Sequence, residues 1–410
     1  MGIITTKGKI SMIKETKLVY VVAESMISAL DFGTEQNMAA IYNGETAIKL
    51  QQDKQIYPED FMGAKIDQKR LNRCFSSLSH YNQLAADFEF TIFEKMAIMS
   101  MAGIFRDQEF PTNKKSLFIL SSTKGNIDLL QEDNLQKWGK ERLMLWNTAN
   151  IIRRFWGFEN KAMVISNACV SGIEAIALGS QLIKAGKYEH AIVVGADMLS
   201  EFVVSGFMSF QSLSKQVCQP FDQDRDGLNL GEAAACVFLS SDKNQLAENE
   251  KVVVVSGGGS SNDANHISGP SRSGDGQFFA IEAALKEAHL SAKHIDYVSA
   301  HGTATPYNDE MESKALTLAQ LQNKPIHSLK AYFGHTLGAA GVLESVVCIQ
   351  NLRHQKIVKS LGFKKLGVPL DLNIITQTKE QALQHIIKTA SGFGGSNAAI
   401  IFSLLKKEQQ

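Results

Sequence analysis

Residues 164–183 read VISNACVSGIEAIALGSQLI. An apolar run ends at Ser166, small residues follow, and from Ile173 the apolar positions Ile173, Ile176, Ala177 and Leu182 recur at helical spacing. The stretch therefore predicts a strand, a tight turn and a helix, with Cys169 at the junction. Free cysteine is among the most buried residue types and is ordinarily inert, and Cys74, Cys218, Cys236 and Cys348 take that reading. Cys169 differs by context. A helix N-terminus stabilises thiolate and lowers a thiol pKa, while Ala168, Ser171 and Gly172 leave room for an incoming group. Those are the requirements of a nucleophile.

Outward from this junction, the same rhythm fills the chain. The runs LVYVVA, SLFILSS, AMVIS, AIVVGAD and AACVFLSS read as buried strands alternating with helical stretches, the pattern of α/β layers. After about residue 250 it repeats: KVVVVSGGG, the helical GQFFAIEAALKEAHL, IDYVSA, PIHSLKA, the helical GAAGVLESVVCIQNL, then AAIIFSLL. The expectation is two pseudo-symmetric halves, residues 17–250 and 251–410, sharing one continuous core. In the second half IHSLKAYFGHTLGAAGVLES also runs from strand through glycine to helix, so His335 occupies a turn comparable with that of Cys169.

Composition sets the outer limits. The 410 residues are 44% hydrophobic with only 7 prolines, enough for a large core. Lys plus Arg equals Asp plus Glu at 42 each, so no global field draws the chain to nucleic acid or to an anionic membrane. The 5 cysteines are odd in number and show no C-x-x-C pair, which fits free thiols in a reducing cytoplasm. No run reaches the length of a membrane span, and the N-terminus lacks the layout of a signal peptide. MGIITT matches a short myristoylation pattern of low information; the competing reading makes residues 1–16 a leader, with Met12 as the native start.

Further candidates cluster at strand ends, where α/β folds place chemistry. SAHGTATPYNDEMES puts His301 after an apparent strand, beside Gly302 and the hydroxyls of Thr303 and Thr305. KAYFGHTLGAAG puts His335 between Lys330 and Glu344. The glycine-rich SGGGSSNDANH, GHTLGAAG and SGFGGSN do not meet the dinucleotide fingerprint, since none opens a βαβ unit with an acidic residue about 20 positions on. Glycine there permits close backbone approach, and SGFGGSN suits backbone N–H groups aimed at an oxyanion. QPFDQDRDGLNLGEAAA opens like a calcium loop but holds Ala233 where the twelfth-position glutamate belongs, so it reads as a structural loop.

Six motifs, NACVSG, QPFDQDRDGLNLGEAA, SSNDANHISGP, AHGTATPYNDEMES, SLKAYFGHTLGAAGVLES and SGFGGSN, stand in an order and spacing that resembles the elongating β-ketoacyl-acyl-carrier-protein synthases of the thiolase-like superfamily. The resemblance runs from about Lys17 to Leu405. It implies a five-layered α-β-α-β-α arrangement and makes Cys169 the nucleophile that accepts an acyl chain as a thioester. His301 and His335 then bind the malonyl thioester, assist decarboxylation and stabilise the enolate; Lys330 and Glu344 orient them. The backbone N–H groups of Cys169 and Phe393 form the oxyanion hole, and Thr303 and Thr305 contact pantetheine. Phe393 gates an acyl pocket lined with Phe207, Met208 and Ala168. Substrates ride on the phosphopantetheine of acyl carrier protein, with no cofactor held by the enzyme, and docking falls to Lys65, Lys69, Arg70 and Lys215. A homodimer through the strand before the cysteine is expected, or a heterodimer with a related subunit.

The chain departs from the family pattern in places. VVAESM replaces a T-G-x-G turn; Ser299 stands for an asparagine two before His301; and Thr389, Ala390 and Ser391 replace N-S-F before GFGG. The last two touch a region where family members can hold a monovalent cation, and no metal is expected here. Gln211 takes the place of a docking arginine, with bulky Met208 and Phe210 nearby. These departures favour polyene or other polyketide-type secondary metabolism over general fatty-acid synthesis. The rival reading is a non-catalytic chain-length-factor-like partner subunit, which would have lost the cysteine; a thiolase or starter-unit synthase using coenzyme A would need a second catalytic cysteine or an asparagine for one histidine.

Overall fold

The computed structural model describes residues 17–78, 88–105, 110–247, 251–267 and 269–405. The leader expected over residues 1–16 lies outside them. The strands that matter for the site are β1 (Tyr20–Ser28), β2 (Ser116–Ser121), β3 (Met163–Ile165), β4 (His190–Asp197) and β5 (Ala233–Ser240), then β6 (Val253–Asn262), β7 (Tyr297–Ser299), β8 (Ile326–His327), β9 (His385–Gly392) and β10 (Ser396–Leu404). They form one ladder in the order β8-β7-β9-β10-β6-β1-β5-β4-β2-β3.

This order is the same five-strand pattern written twice. From the middle outward, each half runs first, fifth, fourth, second, third strand in its own chain order. The senses match as well: first-fifth and fifth-fourth pairs are antiparallel, and fourth-second and second-third pairs are parallel. Between the two sets of five strands the ladder is joined at Tyr20↔Val254 and Val21↔Val253.

Alternation along each strand assigns the layers. On β2, Leu117 and Ile119 join the core around helices α3 (Ser171–Lys184) and α8 (Ala340–His354), while Phe118 and Leu120 face an outer core with α1 (Ile92–Phe105) and α2 (Leu145–Phe155). In the second half, Ile386 and Ile400 face the central core, and Ile387 and Ile401 face α5 (Asp275–Glu287). Helices α3 and α8 each touch strands of both halves. The arrangement is five-layered, α-β-α-β-α, and thiolase-like, as the resemblance implied.

The Gly257–Gly259 run follows from this layering. A Cβ on Gly257 would sit 2.3 Å from Ala284 O and one on Gly259 2.3 Å from Ala280 O, both in α5. A Cβ on Gly258, facing the other way, would sit 2.9 Å from Ala177 Cβ in α3. Three glycines in succession let helices press on both faces of one strand.

The central helices touch at their N-terminal turns. A Cβ on Gly172 would lie 2.5 Å from Val342 N, and one on Gly341 2.5 Å from Ile173 N. Neither helix can yield without moving backbone, so Gly341→Ala is expected to lower the unfolding free energy by about 1–3 kcal/mol in urea titrations. Gly206, in α4 (Glu201–Ser209), has open space around it; there Gly→Ala should stabilise by about 0.5–1 kcal/mol. Equal effects of the two substitutions would contradict the contact.

Candidate active site

Cys169 lies between β3 and α3. Ala168 takes φ 45°, a left-handed conformation that turns the chain from strand to helix. Ser171 Oγ closes the turn, accepting from Asn167 N–H at 2.7 Å and donating to Ala168 O at 2.6 Å. Cys169 Sγ then stands 3.0 Å from His335 Nε2.

His335 is held through its backbone. Its N–H donates to Asn229 O at 2.6 Å, and its carbonyl accepts from Gly231 N–H at 3.1 Å. The Asn229 side chain is fixed by Cys218 N–H at 2.8 Å and by the carbonyls of Ser214 and Gln216. At Gly231 a Cβ would lie 1.9 Å from Phe333 O, so no side chain fits. Beyond the histidine, Asp197 at the end of β4 accepts Gly338 N–H at 2.7 Å and the Ser122 hydroxyl at 2.8 Å.

His301 follows β7 and is positioned by helix α6 (Pro306–Leu318). The spacing of Asp309 and Glu312 puts both on one helix face. Glu312 accepts the N–H groups of His301 at 2.9 Å and Gly302 at 2.7 Å, and Asp309 accepts that of Thr303 at 2.9 Å. The two imidazoles meet edge to face with centroids 5.3 Å apart. Cys169 Sγ and one nitrogen from each ring lie within 4.8 Å of one another.

Beneath them, Lys330 Nζ, on the short helix α7 (Lys330–Phe333), is 2.5 Å from Glu344 Oε1. A second buried lysine, Lys388, is 2.7 Å from Glu344 Oε2. Burial alone would push the Glu344 carboxyl up, but the two ammonium groups hold it below the usual range. Burial pushes both histidines well below their ordinary pKa, and Lys330 and Lys388 add to the effect.

The thiol requires a correction. The helix N-terminus was expected to lower the Cys169 pKa; instead burial pushes it up to about 11, with Lys330 only partly opposing. The resting pair is therefore a neutral thiol against a neutral imidazole. The other buried thiols are raised further, Cys218 and Cys348 to about 12.

A cavity of about 330 Å³ opens over these groups, lined among others by Cys169, His301, His335, Thr303, Thr305, Phe207 and Phe393. The Thr303 and Thr305 hydroxyls are 2.8 Å apart. Phe393 stacks on Phe207 at 5.8 Å and meets Phe210 edge-on at 5.4 Å. The flanking glycines have different causes: at Gly392 a Cβ would sit 3.0 Å from Cys169 N, while Gly394 takes φ 81°. Met208 and Ala168, expected in the acyl pocket, are not among the lining residues. Met208 packs against the cluster of Val203, Val204 and Leu228, and Ala168 lies against Gly392.

The four basic residues expected to dock a carrier divide. Lys65 pairs with Asp53, and Arg70 with Asp31 at 2.7 Å, whereas Lys69 and Lys215 are exposed. The acidic loop is structural: Asp222 accepts the N–H groups of Lys364 at 2.6 Å, Lys365 at 2.8 Å and Asp224 at 3.0 Å. Sequence reading missed Asn229, Asp197, Asp309, Glu312 and Lys388. A lysine inside the apolar run HIIKTASG was the available signal for the last.

Family models describe the same chain. A model of the β-ketoacyl synthase N-terminal domain matches residues 17–245, and one of the C-terminal domain matches residues 252–364. The putative mitochondrial 3-oxoacyl-[acyl-carrier-protein] synthase of Schizosaccharomyces pombe is 28% identical over 347 residues, 77% of this chain and 82% of that protein. The 3-oxoacyl-[acyl-carrier-protein] synthase 2 of Vibrio cholerae is 32% identical over 260 residues, 60% of this chain and 63% of its own length. Among solved structures, a ketosynthase in complex with its chain length factor from Xenorhabdus doucetiae superposes with TM-score 0.80 at 25% identity, covering 95% of this chain and 98% of that one. The ishigamide ketosynthase/chain length factor shares the fold, with TM-score 0.84 at 23% identity over 96% of this chain and 100% of that one.

The raised thiol pKa sets a pH dependence. A thiol titrating near about 11 gains thiolate with each unit of pH, so alkylation of Cys169 by iodoacetamide should climb roughly tenfold per unit through pH 9 without levelling. Peptide mapping by mass spectrometry reads the rate; a plateau near pH 8 would mean that the thiol is not desolvated.

Proposed function

The chain belongs to the β-ketoacyl synthase family of condensing acyltransferases, and from that premise we propose that it performs a decarboxylative Claisen condensation centred on Cys169. The observation that carries the reading is the 3.0 Å contact between Cys169 Sγ and His335 Nε2, at the floor of a cavity that also holds His301.

In the first half-reaction, Cys169 Sγ attacks the thioester carbonyl of an acyl chain on phosphopantetheine. The acyl–sulfur bond to the carrier breaks, and the thiol proton passes by way of His335 Nε2 to the departing pantetheine thiolate. In the second, malonyl-carrier protein loses CO₂. The enolate oxygen is held by Nε2–H of His301 and of His335, the latter ring shifting its proton from Nδ1 to Nε2 once Cys169 is acylated and no longer donates to it. The enolate carbon attacks the acyl-Cys169 carbonyl, the oxyanion rests on the N–H groups of Cys169 and Phe393, and collapse releases β-ketoacyl-carrier protein and the Cys169 thiolate, which regains a proton from solvent. Thr303 and Thr305 hold the pantetheine arm, Phe393 gates the acyl pocket beside Phe207, and Lys330 with Glu344 sets the field around the histidines.

In this reading residues 17–250 supply the nucleophile and 251–410 the histidines and gate. The partner is an acyl carrier protein, met by Lys69 and Lys215 more than by the ion-paired Lys65 and Arg70. The outer edge of β3 supports pairing with a second subunit, a like chain or a chain-length-factor partner. Retention of Cys169, His301 and His335 makes this chain the catalytic member. We place it in chain elongation for fatty acids or polyene and polyketide products, and in a reducing compartment such as the cytoplasm. Among the described residues no helix is long and apolar enough to cross a membrane. No resident cofactor or metal is invoked, because the Cys169, His301 and His335 atoms are themselves the reacting groups.

Incubation with a labelled acyl-carrier protein should place the label on the Cys169 peptide and none on Cys169→Ala; a label elsewhere would sink the assignment. His301→Ala and His335→Ala should still become acylated, while CO₂ release from malonyl-carrier protein falls by about 10²–10⁴-fold. Lys69→Glu with Lys215→Glu should raise KM for the carrier protein several-fold at nearly constant kcat, and unchanged KM would move docking elsewhere.

A further inference from the structure

Lys388 lies on β9, four residues before Gly392, and is fully buried. Its Nζ is 2.7 Å from Glu344 Oε2, 2.6 Å from Thr389 O, 3.1 Å from Ala300 O and 3.3 Å from Ser299 O. An ammonium has three protons, yet four oxygens surround this one. Such an all-oxygen cage, one carboxylate and three carbonyls, is the coordination shell of a small monovalent cation.

Packing does not call for a lysine here. A buried charge carries a large desolvation penalty, and an apolar side chain of similar volume could fill the space. The four oxygens reveal what the charge does. Ser299 and Ala300 immediately precede His301, Thr389 lies on the strand that leads to Phe393, and Glu344 also grips Lys330. One ammonium thereby ties the carrier of His301, the root of the gate and helix α8 to a common point. Of the carbonyls that Lys388 engages, those of Ser299 and Thr389 belong to positions where the chain departs from its family's pattern, and that of Ala300 does not. A resident potassium or sodium ion does not fit, because Lys388 Nζ already fills the cage it would need.

We propose that Lys388 is a positioning residue whose ammonium acts as a built-in monovalent cation, holding β7, β9 and α8 around Glu344 so that the histidine pair works without an added metal ion. The inference rests on the condensation reading above. Wild-type protein should condense acyl- and malonyl-carrier protein at the same rate, within about twofold, in choline buffer and in potassium or sodium chloride. Lys388→Ala should lose about 100-fold or more in choline buffer and recover at least about tenfold with potassium, ammonium or methylammonium, ions small enough for the vacated cage. Lys388→Met fills the cage with apolar atoms; it should fold, accept acyl groups on Cys169, and remain unable to decarboxylate malonyl-carrier protein whatever salt is added. A wild type that needs potassium or sodium, full condensation by Lys388→Met, or recovery of Lys388→Ala with choline as readily as with potassium would overturn the proposal. Should Lys388→Ala fail to fold, the wild-type salt comparison and Lys388→Met decide alone. Failure of the wild type to condense any carrier substrate would bring down the condensation reading and this inference with it, whereas a condensing wild type matched by Lys388→Met defeats only the role of Lys388.

Discussion

The contact on which the site depends is between two glycines. Gly172 and Gly341 bring the N-terminal turns of α3 and α8 so near that a methyl group on either would meet backbone at 2.5 Å. Each helix follows the third strand of its own half, so equivalent places in the repeat are pressed together. Cys169 precedes one helix and His335 the other, and their 3.0 Å separation is set by that contact. Larger residues at the glycines would part the helices and with them the reacting groups. The site is thus a property of the interface between halves.

Around this interface the protein concentrates charge that solvent cannot reach. Lys330, Lys388 and Glu344 together leave one net positive charge beneath the histidines, and burial adds to its effect by disfavouring protonated rings. The cluster keeps both imidazoles neutral. The same desolvation keeps Cys169 protonated at rest, which limits adventitious oxidation of a thiol that must persist between turnovers. Reactivity arises when a thioester arrives.

Much of this was legible in the chain, and what was legible was local. Strand, turn and helix around Cys169 are neighbours in sequence, as are Gly302, Thr303 and Thr305 beside His301, and four of the five strands recur openly enough to reveal a second half, His385–Gly392 being the strand that went unread. What stayed hidden depends on distant partners. Asn229 fixes His335 from 106 residues away by the difference of their numbers, and Lys388 finds its oxygens at Ser299 and Ala300, 89 and 88 residues distant. The raised thiol pKa escaped for a related reason: the helix N-terminus is written in sequence, but the enclosure that outweighs it exists only after both halves close. Gly257–Gly259 was legible as a place of close backbone approach, but which helices press on the strand from its two faces was not.

The place of β1 has a consequence for how such a chain is made. It is the first of the ladder strands in sequence, yet it stands at the centre, paired along its length with Ala233–Ser240 and touching Val253 and Val254 on the other side. Its hydrogen-bonding edges therefore stay open until some 200 further residues have been synthesised. At about 5–20 residues per second that is a wait of roughly 10–40 s on the ribosome. During that interval an apolar strand must be kept from other nascent chains, so translation speed and chaperone occupancy, as much as final stability, govern how much folded protein a cell obtains.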